Sequence, residues 1–151
     1  MRAGSHNQQK QGNKKVTEQT PELIPELIPE LIKVFYDGAC YLCDAEINFY
    51  KRRNQKQLLE FVDISLPSFD PSEFDLDPVD VHKNFHIQSS LSGTIKGVDA
   101  FAKIWAHIES MKILQLIYRS GVGNWVLRCG YSLFIFFRPY LPRRKCQTDR
   151  C

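Results

Sequence analysis

The sequence predicts an α/β domain built on one small mixed sheet of about four strands, flanked by helices and extended by further helices on its C-terminal side. Three observations carry that expectation. A strand-like run, an amphipathic helical stretch and a second strand-like run follow one another between residues 34 and 65. Two short runs rich in β-formers then face each other across a polar turn within residues 85–97, and most of the chain from Val98 to Phe137 shows apolar residues at helical spacing. With 151 residues, 43% hydrophobic and 25% charged, the chain has the size and composition of one domain with a single core.

Residues 1–20 are polar, rich in Gln, Asn and Lys, and lack a periodic apolar face, so they are expected to be disordered. A tetrapeptide, Pro21-Glu22-Leu23-Ile24, then repeats through Pro29-Glu30-Leu31-Ile32. Proline at every fourth position blocks a continuous helix. Residues 1–32 therefore read as a tail and repeat linker, with partner docking as the rival reading because three Leu-Ile pairs are apolar for a spacer. The fold is expected over residues 33–145, and residues 146–151 as a flexible tail containing two cysteines.

Val34, Phe35 and Tyr36 form the first predicted strand, ended by the turn signal Asp37-Gly38. From Cys40 to about Asn54, Leu42, Cys43, Ala45, Ile47, Phe49 and Tyr50 fall on one broad helical arc. Leu58–Ser65 supplies the second strand and completes a βαβ unit. Residues 66–80 hold three prolines and five acids with no basic residue, and read as a solvated acidic loop. A helical turn is expected at Asp80–Asn84. Strands at 85–88 and 93–97 then form a hairpin across Ser89-Ser90-Leu91-Ser92. Val98–Ser110 reads as a helix with Asp99 in its first turn, and Met111–Tyr118 as a second amphipathic stretch. The apolar segment Val122–Phe137 is interrupted by Arg128 and is too short to span a bilayer, which needs about 18 residues or more. It is expected to be a core-packed helix rather than a membrane-associating one. This order of elements is the minimal arrangement of a thioredoxin-like domain.

The net charge of +3 hides an uneven distribution. Residues 1–15 and 138–151 are strongly basic, and the body between them is net acidic. A nucleic-acid-binding domain concentrates its positive charge on a folded face, so no nucleic-acid partner is expected. No apolar run is long enough for an integral membrane segment and no secretory h-region opens the chain, so a cytoplasmic protein is expected. Without a nucleotide-binding glycine fingerprint, no cofactor is expected either, and reducing equivalents would have to come from an upstream thiol.

Five cysteines are too few and too unevenly placed for a disulfide-stapled scaffold. Cys40-Tyr41-Leu42-Cys43 is the one pair whose spacing calls for a chemical account. At a helix start, two intervening residues bring the sulfurs within disulfide reach. The first sulfur is expected to stay exposed and to be favoured as a thiolate by free N–H groups and the helix dipole, making Cys40 the attacker. Cys43, one turn inward, would resolve the mixed disulfide. The competing reading is a zinc site formed by Cys40, Cys43, Cys146 and Cys151, in a non-catalytic binding module. Cys129, among apolar neighbours, reads as a buried small hydrophobe.

Two carboxylates accompany the pair. Asp37 reads either as a proton acceptor for the buried thiol or a leaving thiolate, or as a turn and N-cap residue. Glu46 falls near the centre of the apolar arc, and is either paired with a cation such as Arg53 or serves as a proton relay with a raised pKa.

At these residues the sequence resembles the DCC family of thiol–disulfide oxidoreductases, named for an Asp-x-x-Cys-x-x-Cys motif, here Asp37, Cys40 and Cys43. Glu46-Ile47-Asn48-Phe49, Gly97-Val98-Asp99-Ala100-Phe101 and Tyr131-Ser132-Leu133-Phe134 match its later segments, so the resemblance spans roughly residues 33–145. It implies a thioredoxin-like fold and dithiol–disulfide exchange with protein or small-molecule thiols. Two features depart from thioredoxins: Val81-His82-Lys83-Asn84 lacks the proline that precedes the strand facing the active site, and no proline separates the cysteines.

Overall fold

A computed structural model describes residues 29–144. Strand β1 (Ile32–Tyr36) leads into helix α1 (Tyr41–Lys51) and strand β2 (Leu59–Asp63); helix α2 (Pro78–Lys83), the hairpin β3 (His86–Ser89) and β4 (Gly93–Lys96), and helices α3 (Val98–His107), α4 (Lys112–Arg119) and α5 (Gly121–Phe137) follow. The sheet order is β2-β1-β3-β4, with β1 parallel to β2 and antiparallel to β3. This is the four-stranded mixed sheet with flanking and C-terminal helices that the sequence implied, and it is thioredoxin-like.

Alternation along β1 divides the core between the two faces of the sheet. Ile32 and Val34 pack with Ile47 and Tyr50 of α1 and with Ala102, Ile104 and Trp105 of α3. Phe35, pointing the other way, packs with Ile64, Leu76 and Val81. The proline-rich segment before α2 is ordered by its own acids rather than merely solvated. Asp70 caps a 3-10 turn at Pro71–Phe74, and Asp77 caps α2 through the N–H groups of Val79 and Asp80.

The strand begins one residue before the expected boundary, inside the repeat. Ile32 is fully buried, Leu31 N–H donates to Ser90 Oγ at 3.1 Å, and Glu30 pairs with Lys103 at 2.8 Å and with His107 at 3.3 Å. At least Glu30, Leu31 and Ile32 of the last repeat unit are thus tied to the domain.

Helix α5 departs from expectation. Half-buried Tyr131 meets Phe101 edge-on at 6.1 Å and its hydroxyl accepts the Phe85 N–H at 3.0 Å, yet no residue of the helix is fully buried. Val122, Trp125, Val126, Leu133, Phe136 and Phe137 are exposed. A helix apolar on all sides suggests burial on all sides. Here the domain offers only one surface to pack against, already lined by the stacked Phe85 and Phe101 rings. The expected core-packed helix is therefore packed on one face only, and Cys129, expected to be buried, lies exposed on the other.

Candidate active site

The turn between β1 and α1 is built by backbone and carboxylate hydrogen bonds. Cys40 N–H donates to Asp37 O at 3.2 Å, and Ala39 N–H to Asp37 Oδ1 at 3.1 Å. Gly38 N–H donates to Asp63 Oδ1 at 3.0 Å; a Cβ at Gly38 would lie 2.0 Å from the other oxygen of that carboxylate, so only glycine fits. This turn delivers Cys40 to the N-cap of α1, where Cys40 Sγ accepts the Cys43 N–H at 3.3 Å. The sulfur occupies the place of a capping oxygen, at the positive end of the helix dipole. Burial, followed by the adjacent Cys40 sulfur, pushes the Cys43 thiol up to about 12. At neutral pH Cys43 is held as a thiol.

Cys40 is only 1% exposed, contrary to the expectation that the first sulfur stays open, while Cys43 is half-buried. The chain after α5 covers it. Arg143 forms an antiparallel bridge with Cys40, and Arg144 N–H donates to Ala39 O at 2.8 Å. Side chains fasten this strap: Arg143 pairs with Asp37, while Arg144 pairs with Asp44 at 2.9 Å and lies over the Tyr41 ring.

Asp37, 4% exposed, is the turn residue at this junction, while the N-cap itself is Cys40. Asp37 accepts the Ala39 N–H through one oxygen and is held by two guanidinium groups through the other, Arg138 at 3.3 Å and Arg143. Arg138 also donates to the carbonyls of His82 at 2.8 Å and Lys83 at 3.0 Å, tying the end of α5 to the segment before β3.

Glu46 is not paired with Arg53, whose guanidinium stacks on the Phe49 ring at 3.5 Å. Instead Glu46 accepts from the Tyr50 hydroxyl at 2.7 Å, and Trp105 Nε1 donates to that hydroxyl at 3.2 Å. Burial raises the Glu46 carboxyl above the usual range, outweighing the Tyr50 hydrogen bond, and burial likewise raises Tyr50. A cavity of about 30 Å³ is lined by Asp37, Cys43, Glu46, Tyr131 and Arg138 among apolar residues. Asp37, Cys40, Cys43 and Glu46 are therefore brought to one junction.

Among the described residues no group of three or more His, Cys, Asp or Glu could hold a metal ion. Cys146 and Cys151, needed for the zinc reading, lie outside the described residues. His86 is a buried strand residue bonded to Asn84 O at 3.0 Å and to Asp80 at 3.3 Å. Among the described residues no helix is long and apolar enough to cross a membrane.

Sequence reasoning missed Arg138, Arg143, Tyr50 and Tyr131. In the sequence the arginines read as part of a basic tail, although an aspartate in an apolar junction needs cationic partners from somewhere in the chain.

The family model of the DCC1-like thiol-disulfide oxidoreductases matches residues 34–144. An uncharacterized chloroplastic protein of Arabidopsis thaliana is 37% identical over 132 residues, covering 80% of this chain and 62% of its own length. The chain thus spans less than two thirds of that relative, and no solved structure matches. The β1–α1 junction with its Asp37, Cys40 and Cys43 falls within the matched region, and the chain belongs to the DCC1-like thiol-disulfide oxidoreductase family.

Proposed function

We propose that this protein is a thiol–disulfide oxidoreductase in which Cys40 is the nucleophile and Cys43 the resolving thiol. The observation that carries the reading is the capping of α1 by Cys40 Sγ, which gives that sulfur an N–H donor and the helix dipole while Cys43 stays protonated. In the reductive direction, Cys40 thiolate attacks one sulfur of a substrate disulfide, forming a mixed disulfide and expelling a thiolate that takes up a proton. Cys43 then gives up its proton and attacks Cys40 Sγ. The second substrate thiolate leaves, and the Cys40–Cys43 disulfide remains. The substrate gains two electrons, the dithiol loses two, and an upstream thiol reductant of protein or small-molecule type restores the pair.

Glu46 is the proton acceptor for Cys43. It shares the cavity with Cys43, its raised pKa brings it closer to that of a useful base at neutral pH, and the cavity has room for a bridging water, which needs roughly 10–15 Å³. Asp37 anchors the strap and holds the turn rather than moving protons, because both its oxygens are engaged.

Reduction of insulin disulfides by Cys40→Ser and Cys43→Ser variants tests the reading. Cys40→Ser should abolish turnover, and Cys43→Ser should trap a mixed disulfide on Cys40. Turnover equal to wild type in both variants would overturn it.

A further inference from the structure

The exposed apolar residues of α5 are not scattered. At 100° per residue, Val122, Trp125, Val126, Leu133, Phe136 and Phe137 fall within one third of the helix circumference, opposite the arc of Leu127, Tyr131 and Phe134. Val122, Trp125 and Phe136 are 78%, 67% and 66% exposed. Helix α4 repeats the pattern with Ile113, Leu116 and Ile117, and the two helices adjoin so closely that a Cβ on Gly123 would lie 2.1 Å from Ile117 O. Monomeric proteins rarely leave so continuous an apolar stripe to water.

The charge carried by these helices themselves has one sign, and the carboxylates beside them, Asp99 and Glu109, are held by Arg128 and Lys56. From Ser110 to Arg144 the chain carries Lys112, Arg119, Arg128, Arg138, Arg143 and Arg144 and no Asp or Glu. Arg128, Arg138, Arg143 and Arg144 are paired with acids of the domain. Lys112 and Arg119 are exposed at opposite ends of α4, without an ion pair among the described residues. Amphipathic helices with aromatic and aliphatic residues on the open face, cations beside it and no acids of their own match an anionic lipid surface in both apolarity and charge. An acidic protein groove would meet the charge, but Trp125, Phe136 and Tyr140 in open solvent suit the headgroup boundary, where aromatic rings are enriched.

We propose that α4 and α5 form a peripheral docking surface for anionic membranes, with the apolar stripe of α5 dipping into the headgroup layer. The helix lies on the bilayer and does not cross it. Because α5 runs into Arg138 and the strap over Cys40, docking places the redox site close to the membrane plane. The surface itself does not depend on the redox reading.

The test uses vesicles of phosphatidylcholine with 30% phosphatidylglycerol, and of phosphatidylcholine alone, at low and moderate salt. The full chain should sediment with the anionic vesicles and not with the neutral ones, and salt should weaken the binding. Tryptophan emission should shift to the blue, with the shift lost in Trp125→Phe, because Trp105 is already buried. Lys112→Gln with Arg119→Gln should weaken binding by about 25-fold, at roughly fivefold per cation. Leu133→Ser with Phe136→Ser, at exposed positions, should weaken binding by about tenfold or more while leaving the circular dichroism spectrum unchanged. Three results would each overturn the proposal: no binding to anionic vesicles, equal binding to neutral ones, or an α5 stripe covered by a second copy of the chain in a stable dimer.

Discussion

Removing one side chain should open the strap over Cys40 without disturbing the core. Arg143 holds the strap through its bond to Asp37, and its side chain is one third exposed while the carboxylate is 4% exposed. A charge-assisted hydrogen bond to a buried acceptor is worth about 1.5–3 kcal/mol. Solvent access on the arginine side places this one at the lower end, about 1.5–2 kcal/mol. Arg143→Ala leaves the main-chain bond between Arg144 and Ala39 in place, so the change falls on the opening equilibrium alone. At 1.4 kcal/mol per factor of ten, the open fraction should rise by about 10- to 30-fold. The assay is pulsed alkylation by iodoacetamide of the reduced protein, read by peptide mass spectrometry. Where the strap opens and closes faster than the reagent reacts, the rate at Cys40 follows the open fraction. It should rise by the same factor, while exposed Cys129 reacts at an unchanged rate. An unchanged Cys40 rate in Arg143→Ala would refute the argument that the strap closes the site.

Three further variants are predicted from the same geometry. Glu46→Gln should slow resolution of the mixed disulfide by about 10- to 100-fold, measured by quenched-flow trapping. It should also alter the pH dependence of stability: burial raises the folded-state pKa of Glu46, so its contribution is full below the unfolded pKa near 4.5 and is lost as pH rises through the folded value. Glu46→Gln should therefore unfold at a higher temperature than wild type at pH 8, with the advantage shrinking towards pH 4; a constant difference across that range would contradict it. Tyr50→Phe removes the hydroxyl shared by Glu46 and Trp105 and should cost about 1–3 kcal/mol in urea unfolding. Ile32→Ala should cost about 2–5 kcal/mol, because that residue of the repeat is fully buried in β1; a loss below about 0.5 kcal/mol would return it to the linker.

The parts of the fold visible in the sequence are those fixed by local pattern. The β-rich run before Asp37-Gly38, the arc of α1 and the polar turn between β3 and β4 each follow from neighbours within a few residues, and the structure places them accordingly. The Cys40–Cys43 pair was legible for the same reason. The burial of Cys40 was not, because its cover comes from Arg143, about a hundred positions away, through a two-residue contact with no periodicity of its own. Glu46 stands out on its helix in the sequence, but of its two readings the cation pair with Arg53 is absent, while the raised pKa agrees with the other. Tyr50 lies one turn along α1, Arg53 beyond the end of that helix, and Trp105 of α3 donates to the Tyr50 hydroxyl from across the core, a contact no local pattern reveals.

On the function proposed above, the end of α5 also governs how a substrate can approach. In the resemblance to thioredoxins, the segment before the strand facing the active site shapes the substrate groove. Here the corresponding carbonyls of His82 and Lys83 are taken by Arg138, and Asp37 beneath them is taken by Arg138 and Arg143. A peptide laid along that groove would have to displace two guanidinium groups and leave a buried carboxylate with fewer partners, which is costly. Opening the strap lifts Arg143 away together with Arg144, which bonds Ala39 O, pairs with Asp44 and lies over Tyr41, and so uncovers Cys40 beside the start of α1, where Tyr41 and Leu42 are exposed. Arg138, 13% exposed and engaged by three acceptors, stays as the fixed wall. If Cys40 is the nucleophile proposed above, its disulfide substrates approach from the α1 side, and a bulky substituent at Leu42 should impede them more than the same substituent at Lys83.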